Sequence, residues 1–101
     1  MSLKIKAGFL FEPKWLKVDA KGIKFYEWRA WGGAKKFAFG DVQCILMSND
    51  HTLSFQAGGK IYSIRTKPDK PKHQETISRF VREVERTELA RRGLPAGPHQ
   101  G

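Results

Sequence analysis

The sequence predicts a mainly β chain, with seven short antiparallel strands followed by one amphipathic C-terminal helix. Three observations predict it. Apolar residues alternate at period two through most of the first 66 positions, interrupted by Gly, Pro, Asn and Asp. After a segment with two prolines the period becomes that of a helix. Eleven of the twelve aromatic residues lie at or before Tyr62, leaving Phe80 alone beyond it. With 101 residues, 40% of them hydrophobic, the chain is long enough for one domain with its own core.

In order, Leu3, Ile5, Ala7, Phe9 and Phe11 share one face of a first strand, with Lys4 and Lys6 on the other. Glu12-Pro13-Lys14 is read as the break after it, and Trp15 to Val18 as a second short strand. Asp19-Ala20-Lys21-Gly22 is a turn in which Gly is expected to supply a positive φ. Ile23 to Trp28 alternates again, with Ile23 and Phe25 opposite Lys24, Tyr26 and Trp28. Gly32-Gly33 marks a connection, and Phe37 and Phe39 frame a fourth strand closed by Gly40-Asp41. Val42 to Ser48 is densely apolar and reads as a central, well-buried strand. Leu53, Phe55 and Ala57 alternate next, Gly58-Gly59 signals a hairpin, and Ile61 to Thr66 is the seventh strand.

Lys67-Pro68-Asp69-Lys70-Pro71-Lys72 cannot be a central strand, because two prolines remove ladder donors. Ile77, Phe80, Val81 and Val84 then follow helical spacing, with Glu75–Arg79 and Glu88–Arg92 at i, i+4. Gly93 is the expected stop, which sets a domain over 1–93 and a tail over 94–101. Leu89 and Ala90 lie off the main stripe, which motivates a homo-oligomer as one expectation.

The charge is uneven. Nineteen Lys+Arg against ten Asp+Glu leave a net charge of +9, and residues 1–36 hold nine cations against three acids. That excess favours anionic partners. A single cysteine cannot form an internal disulfide, no apolar run approaches the about 20 residues of a membrane span, and Met1 to Lys6 presents no apolar signal core. The expected setting is a reducing one, cytoplasmic or peripheral at the inner membrane surface.

Leu16-Lys17-Val18-Asp19-Ala20-Lys21-Gly22-Ile23 resembles the strand-turn-strand of bacterial pleckstrin-homology domains, and Phe37-Ala38-Phe39-Gly40-Asp41-Val42 resembles the aromatic-x-aromatic-x-Asp-Val segment that follows it. With the element order, this resemblance to the pleckstrin-homology-like fold covers about Ile5 to Arg92. It implies two bent sheets forming an open β-barrel with the helix plugging one end. Lys6-Ala7-Gly8-Phe9-Leu10 is similar to the opening of the eukaryotic members. Phosphoinositide binders carry a basic residue where this chain has Glu12, and alternate cations where it runs Leu16, Lys17, Val18. The bacterial branch is therefore the nearer match, and specific inositol-phosphate recognition is not expected.

Chemistry-bearing motifs are few. Cys44 sits in the densest apolar run and is expected as a buried small hydrophobe. His51, His73 and His99 are too scattered for metal-ligand spacing. Asp41 is expected to bond backbone N–H groups at its own bend rather than act as an acid. No nucleophile or phosphate-loop motif occurs, so neither an enzyme nor a cofactor is expected. Trp28-Arg29-Ala30-Trp31-Gly32-Gly33-Ala34-Lys35-Lys36 stands out by mixing two Trp with three cations. Its plainer reading has Trp28 packed in the barrel or against another subunit and the cations solvated. The functional reading is a non-enzymatic module that binds an acidic protein or an anionic membrane through Lys14, Lys17, Lys24, Arg29, Trp31, Lys35 and Lys36. Non-specific single-stranded nucleic acid is the third class of partner weighed.

Overall fold

A computed structural model describes residues 3–9, 12–27 and 33–93. The chain forms β1 (Leu3–Phe9), β2 (Glu12–Val18), β3 (Gly22–Glu27), β4 (Lys35–Ala38), a 3-10 turn (Phe39–Asp41), β5 (Val42–Met47), β6 (Thr52–Ala57), β7 (Lys60–Arg65) and α1 (Pro71–Arg91). The strands build two antiparallel sheets, ordered β1-β2-β3-β4 and β5-β6-β7. The seven strands and the helix are those the alternation predicts. Among the described residues the sheets do not close into a barrel, because no ladder joins β4 to β5 or β1 to β7.

The sheets meet through their inner faces. Ile5, Leu16, Val18, Ile23 and Phe25 from the first sheet pack with Val42, Leu53, Phe55, Ala57 and Ile64 from the second. Phe55 joins the three layers. Its ring meets Phe25 edge-on at 5.6 Å and Phe80 of α1 edge-on at 5.3 Å. The helix buries His73, Thr76 and Phe80 and packs Ile77 and Val84 beside them. That face runs one turn further toward the N-terminus than the apolar stripe foretells.

Several local expectations are met. The Asp41 carboxylate accepts the Ala38 N–H at 3.1 Å. Gly58 and Gly59 both have positive φ, as a tight two-residue hairpin requires. Gly93 ends the helix at φ 76°, with its N–H on the Ala90 carbonyl at 3.0 Å. Glu88–Arg92 pairs at 3.0 Å.

Others are corrected. Glu12-Pro13-Lys14 is not a break but the start of β2, where Pro13 lies beyond the β2–β3 ladder that begins at Lys14 and so removes no bond from it. Gly22 is not a positive-φ residue; a Cβ there would collide with the Phe37 carbonyl, and Asp19 shapes the turn by accepting the Lys21 and Gly22 N–H groups at 2.9 and 3.0 Å. The fourth strand stops at Ala38, and Phe39 enters the 3-10 turn. Arg79 pairs with Glu83 at 3.7 Å rather than with Glu75. The largest correction concerns Val42 to Ser48. This segment is an edge strand, with β6 at the centre of its sheet. Leu46 is 70% exposed, and Cys44 is exposed rather than buried. Density of apolar residues signals a strand, but not its place in the sheet. Trp28, Arg29, Trp31 and the tail 94–101 lie outside the described residues.

Candidate functional site

Strand register assembles the site. Lys4 stands opposite Lys17, Lys17 opposite Lys24, and Lys24 opposite Lys36. Four lysines thus form one row straight across β1-β2-β3-β4. Alternation puts them on the outer face, since Ile5, Leu16, Ile23 and Phe25 occupy the intervening inward positions. Directly opposed like charges are unfavourable across strands, so the row carries a cost that folding alone does not explain. The adjacent row on β1-β2-β3 is Lys6, Trp15 and Tyr26. Trp15 and Tyr26 stack at 5.7 Å with 15° between their planes, and the Lys4 Nζ lies 4.5 Å from the Trp15 ring centre. The Asp19 carboxylate, at the end of β2, is held below the usual carboxylate range chiefly by the Lys21 N–H. Despite some desolvation, the Gly22 N–H and the charges of Lys24 and Lys17 add to that effect.

The predicted binding residues therefore separate. Lys17, Lys24 and Lys36 come together in the row. Lys14 does not join them. It shares the inward side with Leu16, where its Nζ donates to the Ser63 carbonyl at 3.1 Å and pairs with Glu27 at 3.2 Å, tying the two sheets together. Lys35 stands opposite Phe25, on the inner side of β4. Arg29 and Trp31 belong to the connection outside the described residues. The sequence reading missed Lys4 as a member, although the alternation in Leu3 to Phe9 already put it on the outer side. What it lacked was the register that lines Lys4 up with Lys17.

The described residues also form two concave features, of which the smaller adjoins this face. A groove of about 800 Å³ runs between β5 and α1 over Ile45, Val81, Val84 and Leu89. Of its rim charges, Arg92 pairs with Glu88 at 3.0 Å, and Arg86 pairs with Glu83, outside the lining, at 3.5 Å. A smaller cleft of about 400 Å³ lies where β1 meets the β7–α1 connection. Among the described residues, no group of three His, Cys, Asp or Glu side chains is placed to hold a metal ion, and no helix is long and apolar enough to cross a membrane. Comparison with protein-family models, with curated proteins and with solved structures found no match to this chain.

Proposed function

We propose that this chain is a non-enzymatic binding module of pleckstrin-homology-like build that docks the outer face of its four-stranded sheet on an anionic membrane surface. The observation that carries the reading is the row Lys4, Lys17, Lys24 and Lys36. A row of lysines on strands about 4.8 Å apart matches charge that is spread over a surface. At an anionic leaflet each such lysine is worth about 1 kcal/mol. Protein interfaces are the poorer match, because their buried centres are depleted in lysine and built on aromatic or Arg anchors. Single-stranded nucleic acid needs open ring faces for bases to stack on. Here Trp15 is stacked on Tyr26 and covered by the Lys4 ammonium.

Co-sedimentation with vesicles tests the reading. Phosphatidylserine-containing vesicles should retain the protein at low salt, while pure phosphatidylcholine vesicles should not. The K17E/K24E variant should lose at least about tenfold in affinity. Equal retention on both vesicle types, or undiminished retention of the variant, overturns it.

A further inference from the structure

The smaller cleft is lined by Lys4 and Lys6 from β1, Lys67 and Lys70 from the β7–α1 connection, and Lys72 and His73 from the first turn of α1. Two chain segments far apart in sequence, β1 and the stretch from Lys67 to His73, thus bring five ammonium groups and an imidazole to one hollow of about 400 Å³. No carboxylate shares its lining. Among the described residues none of these five lysines has a carboxylate within ion-pair distance; the pairs present use Lys14, Arg65, Arg79, Arg86 and Arg92. Asp69, in the same connection, is the acid whose charge acts on His73, against Lys70 and Lys67.

The hollow is built rather than incidental. His73 is 7% exposed, and its Nδ1 accepts the Lys67 N–H at 3.0 Å, which leaves the ring proton on Nε2. His73 Nε2 has no hydrogen-bond partner among the described residues, and no buried side-chain nitrogen or oxygen among them lacks one, so Nε2 is not sealed from solvent, and His73 lines the cleft. The connection itself is closed by main-chain bonds, Lys70 N–H to the Lys67 carbonyl at 3.1 Å and His73 N–H to the Lys70 carbonyl at 3.0 Å. Pro68 and Pro71 restrict its backbone further. Pro71 has no N–H, and those of His73 and Gln74 go to the Lys70 carbonyl, which leaves the Lys72 N–H outside these main-chain bonds of the helix start.

We propose that this cleft is a binding site for a multiply charged phosphate-class oxyanion, held by Lys67, Lys70, Lys72, Lys4 and Lys6, with the His73 Nε2–H as a neutral donor. Ammonium groups bind phosphate as mobile point charges, and several acting together compensate the dianion that one alone cannot. The hollow is larger than a single phosphate needs and suits a pyrophosphate or a phosphomonoester with part of its carrier. The site lies at the β1 edge of the sheet face and takes Lys4 and Lys6 from it, while Lys17, Lys24 and Lys36 stay outside its lining.

Titration calorimetry of the full chain with sodium pyrophosphate, against sodium sulfate at matched ionic strength, is the test. Pyrophosphate should bind at least about tenfold more tightly than sulfate. K67Q/K70Q, which alters two exposed side chains and keeps every main-chain bond of the connection, should weaken pyrophosphate binding by at least about tenfold, while K17Q/K24Q should leave it within about twofold. No preference over sulfate, or equal losses in the two variants, overturns the site. Vesicles of phosphatidic acid and of phosphatidylserine at equal surface charge identify the source. A preference for phosphatidic acid that K67Q/K70Q abolishes supports a lipid headgroup as the ligand. Pyrophosphate binding without that preference supports a free phosphate compound. Loss of vesicle binding in K17Q/K24Q with pyrophosphate binding intact separates the sheet face from the cleft.

Discussion

On the outer face of the four-stranded sheet, Lys4, Lys17, Lys24 and Lys36 lie in one cross-strand row. On the outer face of the three-stranded sheet, the rows are Leu46, Ser54 and Ser63, and Cys44, Gln56 and Ile61. The two faces obey the same alternation and cover the same core. One is a field of like charge. The other is uncharged in these rows, with Leu46 and Ile61 about 70% exposed and Ser54 and Ser63 joined by a 2.8 Å hydroxyl bond. Arg65, on that outer side, has its charge answered by Asp50 at 3.1 Å. The fold demands only that inner faces be apolar; it leaves outer faces free, and here the two outer faces differ in kind. The difference concentrates unpaired cationic side chains on β1 to β4 and the adjoining start of α1.

The largest expected effect breaks what the two sheets share. Phe55→Ala removes the ring that touches Phe25, Tyr62 and Phe80, and should cost about 3–5 kcal/mol in urea unfolding. Far-UV circular dichroism and Trp fluorescence should report one coincident transition for both sheets. Separate transitions would mean that the sheets do not depend on a common core.

Charge placement comes next. L46K/I61K puts two lysines on the uncharged face and should leave phosphatidylserine-vesicle affinity within about twofold of the parent, with stability within about 0.5 kcal/mol per site. A gain as large as the loss expected for K17E/K24E would show that net charge, not the row, governs docking.

Lys24→Glu sharpens the contrast from the stability side. Lys24 is opposed by lysine on both neighbouring strands, so reversal replaces two repulsions by two attractions. Unfolding stability should rise by about 0.5–1 kcal/mol while vesicle affinity falls. A destabilised variant would indicate that the row is already neutralised in the free protein.

The smallest effects are those of pH. Burial, with Lys70 and Lys67 adding, pushes the His73 imidazole below its ordinary value. The unfolded chain therefore takes up a proton near pH 6.5 that the folded chain refuses. His73 contributes its full stabilisation above that pH and loses it as pH falls through the depressed folded value. In the β5–β6 turn, Ser48 and Thr52 with the Arg65 charge lower Asp50 to about 2, so its contribution is present above pH 3.8 and disappears toward pH 2. Urea midpoints measured between pH 7 and 5 should fall in the parent and stay flatter in His73→Gln. An equal decline in both would assign the loss to other groups.

The individual residues show how far the sequence was legible. The faces of Ile23, Phe25, Leu53 and Phe55, the bond made by Asp41 and the stop at Gly93 follow from local chemistry and can be read from neighbours along the chain. The edge position of β5 and the exposure of Cys44 cannot, because a run of apolar residues looks alike in a central strand and in an edge strand whose alternate residues face out. Lys14 reads like Lys17 in composition, and only its parity with Leu16 and its reach to Ser63 assign it to the core side.

The sequence by itself determined the number and kind of elements, the residues on each strand face and the concentration of charge in the first third of the chain. These depend on periodicity, on turn residues and on counting. The tertiary structure alone decided that four lysines share one row, and that Lys4 and Lys6 meet Lys67, Lys70, Lys72 and His73 around one cleft. Cross-strand register and the docking of a helix bring together residues more than sixty positions apart. No local preference encodes which of them become neighbours, because that choice is made by the packing of the shared core.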